Sequence, residues 1–143
     1  MEVILVRHGI TEGNKEKRFV GRLDVPLAPE GEAMARETAP LMPPVEHLYV
    51  SPMLRCRQTA DLLWPNVPRT YVEDLRETDF GIFEGKSHAE LQDDPVYQRW
   101  LSGEMVVGEP AEDCARRGVK ALAFLGRDAA EHGYEHVGVV SHG

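Results

Sequence analysis

Val3-Ile4-Leu5-Val6-Arg7-His8-Gly9 opens this 143-residue chain, and Val137-Gly138-Val139-Val140-Ser141-His142-Gly143 ends it. Each string is an apolar run followed by a histidine and then a glycine. A short run rich in Val and Ile reads as a strand buried on both faces. A polar residue just past such a strand lies at the carboxyl edge of the sheet, where α/β folds place ligands. Two neighbouring strands would bring His8 and His142 to one rim, with Arg7 beside the first.

The segments between the two strings alternate strand and helix signals. Pro29 can open a helix over Glu30 to Ala39, ended by Pro40, Pro43 and Pro44. Ala28 stands where a capping hydroxyl would be expected. His47 to Val50 reads as a strand, and Ser51-Pro52 as the cap and first residue of a helix reaching Trp64. Arg55 then falls in that helix's first turn. Arg69 to Val72 reads as a third strand. Ser87-His88-Ala89-Glu90 has the form of a capping box, and Asp94-Pro95 starts a short helix through Leu101. Pro110 opens the longest helix, closed by Gly133 after His132. Ala115, Val119, Leu122 and Ala129 are expected on its inner face. His136 to Ser141 is the last strand. The alternation predicts one α/β domain over 1–143: a three-layer sandwich, mostly parallel sheet with helices on both faces.

Composition narrows the function classes. The formal charge is -8, which disfavours nucleic acid or an anionic membrane as a partner. An anionic small ligand would have to be held by a local cluster of arginines and amides. No apolar stretch approaches the ~18 residues of a membrane span. No basic stretch precedes an apolar core at the start, so no secretion signal is expected. Cys56 and Cys114 have neither metal-ligand nor disulfide-framework spacing and are read as reduced thiols of a cytoplasmic protein. The six histidines include no pair at HExxH spacing, so neither a metal nor another cofactor is expected. His47, His88, His132 and His136 are read as surface or capping residues, and Trp64 and Trp100 as packing residues.

Arg7-His8-Gly9 alone is a weak signal, because a strand end with a half-exposed arginine is common. The chain, however, goes on with Thr11-x-x-Asn14 and Arg18-Phe19-x-Gly21-x-x-Asp24-x-x-Leu27. Ser51-Pro52-Met53-x-Arg55-x-x-Gln58-Thr59-Ala60 comes next, then Leu75-x-Glu77-x-Asp79-Phe80-Gly81-x-Phe83-Glu84-Gly85, and finally Ser141-His142-Gly143. In order and spacing this series resembles the histidine phosphatase superfamily, the phosphoglycerate-mutase-like fold, from residue 3 to 143.

The resemblance implies a set of roles. His8 would be the nucleophile that becomes phosphohistidine, with Arg7, Arg55 and His142 completing the phosphate pocket. Glu77 would be the proton donor to the leaving alcohol. Thr11 and Asn14 would add hydrogen bonds to the phosphoryl oxygens, and Gly21 would line the rim. These residue types suit the chemistry. Neutral imidazole is a good nucleophile, guanidinium groups match the spread charge of a phosphoryl group, and a buried carboxyl can stay protonated. Arg18, Arg22 and Lys86 either read the rest of an anionic substrate or are plain surface charges. Arg116-Arg117, inside the long helix, is read as surface or salt-bridged.

The short interval between Glu77 and Ser141, and the loop Asp79–Gly85, look more like small phosphatases of the α-ribazole and broad-specificity type than like mutases. The expected activity is therefore hydrolysis of a small phosphomonoester, with phosphoglycerate mutase as the alternative. Ile10 departs from the polar residue usual after the Arg-His-Gly motif. Family members continue past Ser-His-Gly with a helix and a strand, so the resemblance implies a C-terminally truncated domain. A second alternative is then a weak or inactive phosphate-binding fragment. An open sheet edge is compatible with a homodimer.

Overall fold

The computed structural model describes residues 1–143. In chain order the elements are β1 (Glu2–Arg7), α1 (Glu12–Lys15), α2 (Pro29–Thr38), β2 (His47–Val50), α3 (Leu54–Leu63), β3 (Arg69–Tyr71), α4 (His88–Leu91), α5 (Pro95–Leu101), α6 (Ala111–His132) and β4 (His136–Ser141). The strands form one sheet in the order β1-β4-β2-β3, with every neighbouring pair parallel.

The first and last strands are thus neighbours. Their register pairs Glu2 with His136 and Arg7 with Ser141. One step further on, the His8 amide donates to the Ser141 carbonyl at 2.9 Å. Both strands therefore leave the sheet at the same level, and His8 and His142 emerge side by side.

Two cores sandwich the sheet. On one face Leu48, Val50 and Val140 pack with Ala35 of α2 and with Cys56, Ala60 and Leu63 of α3. On the other, Tyr49, Val137 and Val139 pack with Ala121, Leu125 and Ala129 of α6. Alternate residues of β2 and β4 enter opposite cores, as the two-residue period of a strand requires. A smaller cluster of Phe83, Leu91 and Tyr97 holds the segment between Asp79 and α5 together.

Three expectations about burial need correction. β4 is buried from Val137 to Val140, but β1 is an edge strand with Val3 43% and Leu5 73% exposed. An apolar run does not show whether a strand ends up central or at an edge. In α6 the inward residues are Ala121, Leu125 and Ala129, whereas Ala115, Val119 and Leu122 are exposed. Two of the three inward residues are alanines, so side-chain size does not mark the buried side. His47 is buried rather than on the surface: its ring stacks on Tyr134 and its Nε2 shares a hydrogen bond with Thr70.

Helix ends are set partly by local residues and partly by distant ones. Gly133 closes α6 in the left-handed conformation, φ 70°, the role expected of a C-terminal glycine. Ala28 gives α2 no side-chain cap. The cap expected from Ser51 is absent; α3 begins at Leu54, whose amide is taken at 2.6 Å by Asp24, thirty residues upstream. Ser51 Oγ takes the Met53 amide at 3.4 Å and lies 2.9 Å from His142 Nε2.

Close approach of α2 to the first loop depends on Gly31. A Cβ there would lie 2.2 Å from the Ile10 carbonyl oxygen, and that oxygen already accepts the Ala28 amide at 2.9 Å. Backbone cannot yield as a side chain would. Gly31→Ala is expected to cost about 1–3 kcal/mol, measurable as a fall of several degrees in Tm; an unchanged Tm would show that the loop moves freely.

Candidate active site

His8 is 9% exposed. Its Nδ1 lies 2.7 Å from the Gly9 carbonyl oxygen. A carbonyl only accepts, so Nδ1 carries the proton and Nε2 keeps its lone pair. Burial, outweighing this hydrogen bond, pushes the His8 pKa down to about 4, and the nearby Arg55 and Arg7 charges push the same way. The imidazole is therefore neutral at pH 7 with a defined tautomer. The Gly9 amide donates to Thr59 Oγ1 at 3.0 Å, tying this turn to α3.

His142 stands edge-on to His8, ring centroids 5.2 Å apart. Its Nε2 lies 2.9 Å from Ser51 Oγ, and its Nδ1 lies 3.4 Å from Arg55 Nη2. Guanidinium only donates, so Nδ1 is the acceptor and Nε2 the donor to Ser51. Burial, then the charges of Arg55 and His8, hold the His142 pKa down at about 3.

Arg55, near the start of α3, is fully buried. Its Nη1 donates to the Leu23 carbonyl at 2.9 Å, and its Nη2 to Gly21 at 2.9 Å and Val20 at 3.4 Å. No carboxylate forms an ion pair with it, and its Nε has no hydrogen-bond partner. A buried cation without a counter-ion is costly. Arg7, exposed at the end of β1, forms no ion pair or hydrogen bond. Both cations act on His8 and on Glu77.

Glu77 lies half-buried in irregular backbone beyond β3. Its Oε1 accepts the Thr78 amide at 2.8 Å. Burial raises its pKa above the usual carboxyl value, against the opposing pull of the Thr78 hydrogen bond, Arg55 and Arg7. The group is thus biased toward its protonated form, as a proton donor to an alkoxide must be.

Asn14 and Thr11 form a reciprocal cap at the start of α1. Asn14 Oδ1 accepts the Thr11 amide at 3.0 Å, and Thr11 Oγ1 accepts the Asn14 amide at 3.2 Å. The Asn14 NH2 group is left free to donate. Thr11 is fully buried, so it shapes the loop and does not face a ligand. Gly21 is likewise interior, not on the rim: its amide goes to Glu84 Oε2 and its carbonyl to Arg55. Its place is fixed by crowding, since a Cβ would fall 2.0 Å from the Thr78 carbonyl oxygen.

Glu84 was not singled out by sequence reasoning. Its carboxylate accepts the amides of Gly21, Arg22 and Phe80, joining the two loops behind Arg55. Arg18 is engaged with Glu16, Glu90 and the Gly85 carbonyl, so it serves as a clasp. Arg116 pairs with Asp113 on the surface, whereas Arg117 is drawn inside. A groove of about 590 Å³ opens beside His8, lined by Arg7, His8, Asn14 and Lys17 with Met34 and Leu63 behind; Arg55, Glu77 and His142 are not among its walls. No group of three or more His, Cys, Asp or Glu side chains is placed to hold a metal ion.

This arrangement puts a neutral imidazole, two cations without ion-pair partners and a carboxyl whose pKa is raised by burial within one another's field. Residues 3–143 match the sequence profile of the histidine phosphatase superfamily, branch 1, and the chain belongs to that family. It is 34% identical over 146 residues to a Hydrogenobacter thermophilus protein with the provisional name phosphoserine phosphatase 2, covering 97% of this chain and 71% of that one. It is 32% identical over 133 residues to a protein of Enterobacter sp. (strain 638) named as a probable phosphoglycerate mutase, GpmB, covering 86% of this chain and 62% of that one. Among solved structures it is similar to the α-ribazole phosphatase of Shigella flexneri, with a TM-score of 0.86 and 26% identity over 99% of this chain and 74% of that one. The chain thus spans between three-fifths and three-quarters of the length of these three proteins.

Proposed function

We propose that this chain hydrolyses small phosphomonoesters through a phosphohistidine formed on His8. The observation that carries the reading is Arg55: a fully buried guanidinium with no carboxylate partner and an unpaired Nε, set beside a neutral histidine. An incoming phosphoryl anion would supply the missing counter-charge, with Arg7 and the Asn14 amide as further donors. This is electrostatic preorganisation for phosphoryl transfer.

In the first step His8 Nε2 attacks phosphorus. The P–N bond forms as the P–O bond to the leaving alcohol breaks, and Glu77 gives its proton to the departing oxygen. In the second step Glu77, now a carboxylate, takes a proton from water as the water oxygen attacks phosphorus. The P–N bond breaks, phosphate leaves, and both residues return to their starting states. His142 donates its Nε2–H to Ser51 Oγ and accepts weakly from Arg55 at Nδ1, so it would reach a phosphoryl oxygen as a donor by turning its Nε2–H away from Ser51.

The substrate is taken to be a small phosphorylated metabolite, in line with the phosphatase names of relatives. The free thiols of Cys56 and Cys114 suit a reducing compartment such as the cytoplasm. No helix is long and apolar enough to cross a membrane.

A panel of phosphomonoesters assayed without added metal, with and without 2,3-bisphosphoglycerate, tests the reading. Release of inorganic phosphate that is independent of the bisphosphate is expected. A strict requirement for the bisphosphate, with phosphoryl transfer between positions of phosphoglycerate, would instead make the chain a mutase.

A further inference from the structure

We propose that Arg117 is a positioning residue for Glu77, clamping the backbone on which the proton donor is carried; this rests on reading Glu77 as that donor. Arg117 lies in the second turn of α6, and its side chain is 19% exposed. Its Nε and Nη2 donate to the two Glu109 carboxylate oxygens, each at 2.6 Å. The rest of the fork faces the other way. Nη1 donates to the carbonyls of Asp74 at 3.0 Å and Arg76 at 2.9 Å, and Nη2 reaches the Glu77 carbonyl at 3.4 Å.

The carbonyl that Arg117 skips is also taken: Leu75 accepts from Ser141 Oγ at 3.0 Å. Four consecutive carbonyls, from Asp74 to Glu77, are therefore held by two side chains. Beyond Leu75 this segment belongs to no helix or strand until Gly81, so no ladder of backbone bonds fixes it. The far side is tied as well, because the Glu109 amide donates to the Asp79 carbonyl at 2.8 Å. Glu109 thus fixes Arg117 through its carboxylate and the Glu77 loop through its backbone.

Only a guanidinium fits this place. It offers five donors in one plane, enough for a carboxylate on one edge and several carbonyls on the other. A lysine would keep a charge for Glu109 but could not span both sets. Its neighbour Arg116 is a surface residue paired with Asp113, so the basic pair divides into one interior and one exterior role.

A donor displaced by about 1 Å can lose up to 10²-fold in rate. The loss falls only on reactions that need the proton. An alkyl phosphate must have its leaving oxygen protonated as the P–O bond breaks, whereas nitrophenolate leaves as the anion. The test compares kcat/KM, which reports the steps up to departure of the alcohol, for an alkyl phosphate and for p-nitrophenyl phosphate. It is applied to the wild type, Arg117→Met, Arg117→Lys and Glu77→Gln.

For Arg117→Met the alkyl ester is expected to lose roughly 10–100-fold. The nitrophenyl ester should change by no more than a few fold, and the inhibition constant of inorganic phosphate should hold. Arg117→Lys, which leaves Glu109 paired and so folds even where the methionine variant does not, should show the same preference at smaller size. Equal losses on both esters, or none on either, in Arg117→Lys would overturn the positioning role while a selective loss in Glu77→Gln stood. If Glu77→Gln itself shows no preference between the esters, the assignment of Glu77 has failed and the inference falls with it.

Discussion

Replacing His8 with alanine is expected to lower kcat/KM for every phosphomonoester by on the order of 10⁴-fold or more, because the residue that accepts the phosphoryl group is gone. The wild-type enzyme, quenched during turnover of a labelled substrate, should carry acid-labile phosphate on His8; His8→Ala should carry none. Binding should survive better than turnover. Arg55, Arg7 and Asn14 remain, so the affinity for inorganic phosphate should change only modestly. Substantial turnover by His8→Ala would sink the phosphohistidine route. The same variant has a signature in stability. In the unfolded chain His8 takes up a proton near pH 6.5, but in the folded protein only near pH 4. As pH falls from 6.5 to 4 the unfolded state binds more protons, so the folded state loses stability, by about 3 kcal/mol at most from this group. Above pH 6.5 both states are neutral and the effect vanishes. His8→Ala should therefore lose less stability on acidification than the wild type, measured as Tm against pH.

Much of this molecule could be read from local signals, and the features that could not were non-local. Pro29, Asp94-Pro95 and Gly133 act on their own neighbours, and α2, α5 and α6 begin or end where these residues place them. The cap of α3 is different. Ser51 and Leu54 look locally self-sufficient, yet Asp24 supplies the bond and Ser51 turns to His142. That exchange depends on two distant loops meeting. The edge position of β1 is non-local too, since it is settled by which strand pairs with which. The misread face of α6 carried a usable clue: Arg117, Ala121, Leu125 and Ala129 recur every four residues. Had small residues been given weight beside large ones, that stripe would have pointed inward and drawn attention to Arg117.

The site shows the same division. His8 and His142 were legible because two parallel strands in register carry the residues just beyond their ends to one place. The motif named Arg55 and Glu77, but nothing in the sequence says that Arg55 directs its donors to Val20, Gly21 and Leu23. Nor does it say that Gly21 and Thr11 are interior. Some motif positions hold their neighbours in place. Gly21 accepts from Arg55, Glu84 binds the Gly21 amide, and Thr11 fixes Asn14.

Glu77→Gln is expected to lower kcat/KM for an alkyl phosphate by roughly 10²–10⁴-fold, the range of a positioned general acid, and to change the pH profile in a defined way. Two ionisations of the free enzyme bound the wild-type activity. His8 must be neutral, so activity rises with pH through about 4. Glu77 must be protonated, so activity falls as pH passes its pKa, which burial lifts above the ordinary carboxyl value. The useful window therefore lies between these two ionisations, above that of His8 and below that of Glu77. The second ionisation of the substrate phosphate, near pH 6, also shapes the curve, but it acts equally on both enzymes and cancels in their ratio. The ratio of wild type to Glu77→Gln should be high and flat at low pH and should fall as pH rises through the Glu77 pKa. With p-nitrophenyl phosphate, whose leaving group needs no proton, the ratio should stay small throughout. A ratio that is large but independent of pH would mean that the carboxyl holds structure without donating a proton. A ratio that grows with pH would mean that the carboxylate, not the acid, is the form that works in the first step.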